Sequence, residues 1–177
     1  MSDQIIRKVP ATQVPIDLLL LADPSEKQVN SYLPQDMCYA IQEGDKIIGV
    51  CVLKAQEPSA VEIMNIAIRP AYQARGVGTK LLRHVLNQAT ADGTKKILVK
   101  TGTFGYQLTF YQRLGFRVVA VEQDYFLDNY DELLFESGIQ HKDRLVLELL
   151  IWQFALGLYY SRQFVRKTAT KLAFTPN

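Results

Sequence analysis

Asn65-Ile66-Ala67-Ile68-Arg69-Pro70-Ala71-Tyr72-Gln73-Ala74-Arg75-Gly76-Val77-Gly78-Thr79 is an apolar strand, a proline stop and a glycine-bearing turn that leads directly into helical periodicity. Pro70 lacks the N–H that a ladder needs, so it ends the strand. Gly76 and Gly78 allow backbone conformations that a side chain forbids and let the chain approach a ligand closely. The first N–H groups of the following helix have no partner within it, and with the helix dipole they suit a phosphate. A strand-to-helix turn with glycines kept for packing would read the same way at this level.

Three phosphate loops compete for this segment. A Walker loop needs GxxxxGK[ST], which Gly78-Thr79-Lys80 does not supply. A dinucleotide fingerprint needs GxGxxG, and position 81 is leucine. The third pattern, Q/R-x-x-G-x-G/A, is matched throughout by Gln73-Ala74-Arg75-Gly76-Val77-Gly78.

Downstream, Leu81, Leu82, Val85, Leu86 and Ala89 recur at helical spacing and predict a helix over 78–91, stopped by Asp92-Gly93. A strand follows over 96–100. A helix over 105–114 then sets Leu108, Tyr111 and Leu114 on one side and is closed by Gly115, and a strand covers 116–121. Upstream, the pattern predicts a strand over 4–9, helices over 14–22 and 25–32 with Ser25 as a cap, and a hairpin of 37–42 and 46–53 about Glu43-Gly44-Asp45. The strand before the glycine loop covers 61–69. Residues 124–139 read as irregular, acidic and aromatic, and a last strand covers 144–151. A hairpin followed by strand, helix, strand, helix, strand gives an α/β (α+β) chain, a mixed sheet with helices on its faces.

The loop and a second segment, Phe110-Tyr111-Gln112-Arg113-Leu114-Gly115-Phe116-Arg117, together resemble the GNAT superfamily of N-acetyltransferases. The first is similar to that family's pyrophosphate loop. The second is similar to its FY-x-K/R-x-GF helix ending, and lies about thirty residues later with one strand between. The likeness is strongest over 62–121 and extends over 5–150. The chain departs from many members at Phe104 and Gln107, where they carry Asn and Ala.

The resemblance implies a mostly antiparallel sheet with a central splay, in which the pantetheine arm of acetyl-coenzyme A lies. It implies that the backbone of Ile66, Ala67 and Ile68 pairs with the arm and aims an N–H at the thioester oxygen. Gln73, Arg75, Gly76, Val77, Gly78 and Thr79 would hold the pyrophosphate, with charge added by the Arg75 and Lys80 side chains. An acceptor amine must be neutral to attack, whereas a free lysine-type amine has a pKa near ~10.4, so a base or an ordered water is required. Glu62 is the candidate base; alternation by two puts Glu62, Met64, Ile66 and Ile68 on one face. His141 is a second candidate. Tyr111 matches the family tyrosine beside the sulfur and is the candidate proton donor to the leaving thiolate.

Glu122, Asp124, Asp128, Asp131, Glu132 and Glu136, with Tyr125, Phe126 and Tyr130 among them, would border an acceptor site suited to a cationic amine. A solvated loop would also carry such a composition. The rival function is a non-catalytic acyl-CoA-binding or regulatory module on the same fold.

The 177 residues suit one domain, taken as 1–151, with an extension over 152–177 that is apolar and then basic. Trp152, Phe154, Leu156, Tyr159 and Tyr160 in that extension call for cover, by the domain or by a second subunit in a homodimer, before membrane contact. A net charge of +2 gives no argument for nucleic acid. Cys38 and Cys51 form no CxxC pair, and with only His84 and His141 to join them the expectation is no metal and two buried thiols in a reducing compartment. Without a signal-like start or a span-length apolar run, the expected location is the cytoplasm, with no stable membrane insertion.

Overall fold

The computed structural model of the protein describes residues 3–33, 37–57 and 59–152. The chain runs β1 (Gln4–Val9), α1 (Ile16–Leu19), α2 (Glu26–Tyr32), β2 (Met37–Glu43), β3 (Lys46–Glu57), β4 (Ala60–Ile68), α3 (Val77–Ala91), β5 (Lys96–Gly102), α4 (Tyr106–Arg113), β6 (Arg117–Glu122), α5 (Tyr125–Asn129), β7 (Phe135–Glu136), β8 (Ile139–Gln140) and β9 (Arg144–Leu150). Seven strands form one sheet in the order β1-β2-β3-β4-β5-β9-β6. Within it only β4 and β5 run parallel.

That parallel pairing is brief. It extends from Ala60↔Lys96 to Ile63↔Val99 and stops, although both strands continue. From there β4 keeps β3 on one edge, and its other edge faces an opening across from Lys100–Gly102. This is the splay that the resemblance implies.

Each sheet face has its own core. On one, α3 contributes Leu81, Leu82, Val85 and Leu86 and α4 contributes Tyr111, packed on Cys51, Ile63, Ile97, Val99, Leu147 and Leu149. On the other, Leu18 and Leu19 of α1 and Val29 and Tyr32 of α2 pack on Cys38, Ala40, Val50, Val52 and Ala67. The cores therefore divide at β4 and β5: the α3 face is covered from β1 to β9, whereas the α1 face is covered only from β1 to β4, and the edge strand β6 is exposed.

Three expectations need adjustment. The first helix is four residues long instead of the nine of 14–22, because Pro15 precedes it and the chain turns out through Ala22 and Asp23 to Pro24. The irregular 124–139 contains α5 and a small hairpin, β7 with β8, about Ser137 and Gly138, both at positive φ (53° and 77°). A two-residue Ser-Gly gap is a hairpin signal in the sequence.

The third is a correction. Glu62, Met64, Ile66 and Ile68 do not share a face. Val52 pairs with Asn65 and Leu53 with Ile63, so Met64 is an extra residue, a β-bulge. The bulge resets the alternation: Val61, Ile63, Ile66 and Ile68 lie with the α3-face core, whereas Met64 and Ala67 pack with the α1-face core. Glu62, between Val61 and Ile63, therefore points to the α1 face.

Both cysteines are buried, one in each core. Burial pushes the Cys51 thiol well above the ordinary thiol range. The proposed extension begins at Trp152, and residues 153–177 lie outside the described residues.

Candidate active site

The glycine loop closes the open end of the splay. After Ile68 the chain makes a short turn over Pro70–Tyr72, and Gly76, at φ 77°, is the residue before α3. That left-handed conformation turns the chain so that α3 starts beside the end of β4. A Cβ built on Gly76 meets nothing within 4 Å, so glycine is needed there for its dihedral rather than for room. Gly78 sits against Ile68 and Phe110, where a Cβ would make ordinary contacts at 3.5 and 3.8 Å. The Lys80 amide donates to the Gly76 carbonyl, so the amides of Val77, Gly78 and Thr79 form the first turn and have no partner within the helix.

The loop's side chains divide by role. Val77 is buried in the α3-face core. Gln73 folds back so that its Nε2 donates to the Ile68 carbonyl at 2.8 Å, tying the loop to the strand it leaves. Lys80 Nζ donates to the Gln4 carbonyl and side chain, both at 3.3 Å, which draws that cation toward β1. Arg75 is exposed.

On the α3 face, Tyr111 is buried, with its ring against Phe110 and Phe116. Burial, followed by the nearby Cys51 thiol, pushes its hydroxyl well above the ordinary phenol range, so it holds its proton at neutral pH. Cys51 pairs with Ile66 across β3 and β4, which places Tyr111 under the part of β4 that borders the splay.

On the α1 face lies a chain of charges. Glu62 is only 7% exposed. Its Oε2 accepts from Gln56 Nε2 at 2.6 Å, and Lys100 Nζ stands 3.5 Å from its Oε1. Lys100 Nζ is also 3.6 Å from Glu122, which Arg144 holds through Nε at 2.6 Å and Nη2 at 2.5 Å. The Arg144 guanidinium lies over the Tyr125 ring. The acidic stretch is thus partly neutralised by its own neighbours.

His141 stacks on Phe104 with centroids 4.3 Å apart, and its Nε2 is 3.2 Å from Glu136 Oε2. A Cβ on Gly102 would come within 2.6 Å of this ring, so only glycine at the end of β5 admits it. Tyr130 donates to Asp23 Oδ1 at 3.2 Å, joining the α5 segment to the chain after α1 across the α1 face. Burial raises the Asp23 carboxyl above its usual range.

Of the sequence candidates, Ile66, Ala67, Ile68 and the loop 73–79 line one continuous edge, with Tyr111 below it and Glu62 above. Lys100, Gln56 and Asn65 were missed. Asn65 is buried, and its Nδ2 donates to the Leu19 carbonyl and the Tyr32 hydroxyl, fastening both N-terminal helices to β4. The available signal is a second polar residue, besides Glu62, in an apolar strand. Among the described residues, no three His, Cys, Asp or Glu side chains stand together as metal ligands, and no helix is long and apolar enough to cross a membrane.

Residues 34–118 match the family model of the acetyltransferase (GNAT) domain. The chain is 44% identical over 136 residues to the uncharacterized N-acetyltransferase YvbK of Bacillus subtilis, covering 75% of this chain and 88% of that one. Among solved structures it is similar to an IAA acetyltransferase from Bacillus cereus, with TM-score 0.79, 40% identity, and coverage of 84% of this chain and 99% of that one. It is also similar to a GNAT family acetyltransferase from Elizabethkingia anophelis with acetyl-CoA bound, with TM-score 0.79, 36% identity, and coverage of 83% and 97%.

Proposed function

The chain belongs to the GNAT acetyltransferase family, and from that premise we propose that it transfers an acetyl group from acetyl-coenzyme A to the primary amine of an acceptor, by direct attack in a ternary complex. The observation that carries this reading is the unpaired edge of β4 past Ile63, ending at the Gly76–Thr79 turn. An extended pantetheine arm would pair with Ile66, Ala67 and Ile68 as an added strand. Its pyrophosphate would meet the amides of Val77, Gly78 and Thr79 at the start of α3. The relative from Elizabethkingia anophelis, which holds acetyl-CoA, supports this choice of cofactor.

The acceptor comes from the α1 face, where Glu62 draws an ammonium group and takes its proton. The neutral amine attacks the thioester carbon, and a β4 N–H holds the oxygen as it gains charge. Tyr111, still protonated, gives its proton to the departing thiolate from the α3 face. The carboxylates Glu62, Glu122 and Glu136 favour a cationic acceptor.

Calorimetry tests the cofactor site. The native chain should bind acetyl-CoA. Gly76→Asn keeps a residue that tolerates the left-handed conformation, in open space, and should bind nearly as well. Gly76→Asp has a similar shape with a negative charge toward the pyrophosphate, and should bind at least about tenfold more weakly, or ~1.4 kcal/mol. Equal affinity of the two variants would remove the loop from the cofactor site. Tight binding with no thiol release across a panel of amines would favour the non-catalytic module.

A further inference from the structure

We propose that Lys100 is itself an acetyl acceptor: in the absence of another amine, the protein transfers an acetyl group from acetyl-coenzyme A to Lys100 Nζ in its own active site. This rests on the transferase reading above and on Glu62 as the proton acceptor. Two observations place the lysine where the reaction would occur.

The first is topological. The last β4–β5 pair is Ile63 with Val99, and Lys100 is the next residue of β5. It therefore stands at the apex of the splay. The cofactor's direction follows from the loop. Its pyrophosphate would sit at Gly76–Thr79, past the Ile68 end of β4, so the arm would run back along Ile68, Ala67 and Ile66. The reactive end of the arm then points to the apex, toward Lys100.

The second is chemical. Lys100 reaches across the opening to β4, with Nζ 3.5 Å from Glu62 Oε1, the carboxylate proposed to deprotonate an acceptor. Ile97 and Val99 belong to the α3-face core, so Lys100 lies on the opposite face, the one from which acceptors arrive. It is an amine held beside the base, on the acceptor side, with the side chain 27% exposed.

The step balances without a further reactant. The Lys100 ammonium gives one proton to Glu62, and the nitrogen lone pair forms a C–N bond to the thioester carbon. The C–S bond breaks, and sulfur leaves with its electron pair as thiolate. Tyr111 protonates that thiolate. The second nitrogen proton restores Tyr111, the proton on Glu62 passes to solvent, and the products are an amide, a free thiol and one proton. The acetylated lysine is neutral and loses its pairing with both Glu62 and Glu122. It would also fill the acceptor side of the splay, so the modification would slow later turnovers.

The test uses the full chain and acetyl-CoA alone, followed by intact mass and peptide mapping over time. The expected result is one acetyl group per chain, at Lys100, formed much faster than on the exposed Lys54 and Lys95. Glu62→Gln and Tyr111→Phe should each slow it at least about tenfold while still binding acetyl-CoA. Lys100→Arg keeps the positive charge and should take up no acetyl group at a comparable rate. If acetyl-CoA binds and Lys100 stays unmodified, or gains acetyl no faster than Lys54 and equally in the Glu62 and Tyr111 variants, the proposal is overturned and the transferase reading stands. If acetyl-CoA does not bind, both fall together.

Discussion

In the proposed reaction Tyr111 serves packing and chemistry together. Its ring belongs to the α3-face core, between Phe110 and Phe116. The burial that gives it this packing role also keeps its hydroxyl protonated, the state a proton donor needs. Tyr111→Phe removes the proton and keeps the ring. Turnover with a good acceptor should fall by about 10²–10⁴, with a smaller change in the Michaelis constant and little change in acetyl-CoA affinity. Steady-state kinetics beside calorimetry checks this, and a variant with native turnover would return Tyr111 to packing alone. At this scale the sequence was informative about Tyr111 and the loop because each lies in a local pattern. It held no sign of Lys100, whose proposed role rests on the end of a β4–β5 pairing, or of Gln56, which approaches Glu62 across the β3–β4 turn.

Among the elements, β4 carries the most geometry with the least sequence signal. Its bulge at Met64 sends Glu62 to the α1 face while Ile66 and Ile68 stay with the α3-face core. Alternation by two holds only for an uninterrupted ladder, so a sequence reading places these residues together. The α3 helix was legible because Leu81, Leu82, Val85, Leu86 and Ala89 all meet one core, and the observed Val77–Ala91 differs from 78–91 by one residue. Deleting Met64 tests the bulge. A slip of one residue exchanges the two faces of a strand, but here the residue removed is the extra one. Ile63 and Asn65 become consecutive opposite Leu53 and Val52, so Glu62 stays on the α1 face and Ile66 and Ile68 stay with the α3-face core. The deletion should therefore cost only the packing of Met64 and leave acetyl-CoA affinity within about tenfold, or ~1.4 kcal/mol, of native. A greater loss of affinity in a folded variant would mean that the bulge itself, beyond setting the faces, shapes the binding edge.

For the molecule as a whole, two matters concern the covered sheet and what lies beyond it, the core reaching from β1 to β9 on one face and from β1 to β4 on the other. The first concerns alkaline stability. The Cys51 thiol and the Tyr111 hydroxyl are both buried and both pushed above their ordinary ranges. The folded chain keeps these protons after the unfolded chain has released them, so the stability they contribute is present at neutral pH. It is lost as pH rises past about 8.5 for the thiol and about 10 for the phenol, by at most ~1.4 kcal/mol per pH unit per group. Urea midpoints measured at rising pH should fall, and less steeply for Cys51→Ala than for the native chain; parallel slopes would count against this origin. The second concerns the C-terminus. The main sheet is complete at Leu150, and the Ile151 amide still donates to the Lys95 carbonyl. The solved relatives are spanned over 99% and 97% of their lengths by 84% and 83% of this chain. We propose that what they share is the domain over 1–151 and that the apolar run from Trp152 onward is additional. A chain ending at Ile151 should bind acetyl-CoA with native affinity, since the β4 edge and the glycine loop remain. Trp152 is 60% exposed where it leaves the domain, and an apolar extension that covers domain or partner surface gives it a packing role. Truncation should then lower the melting temperature or reduce the mass in solution, read by calorimetry and light scattering. Loss of cofactor binding would make the extension part of the active domain, and no change in either measurement would leave it without a packing role.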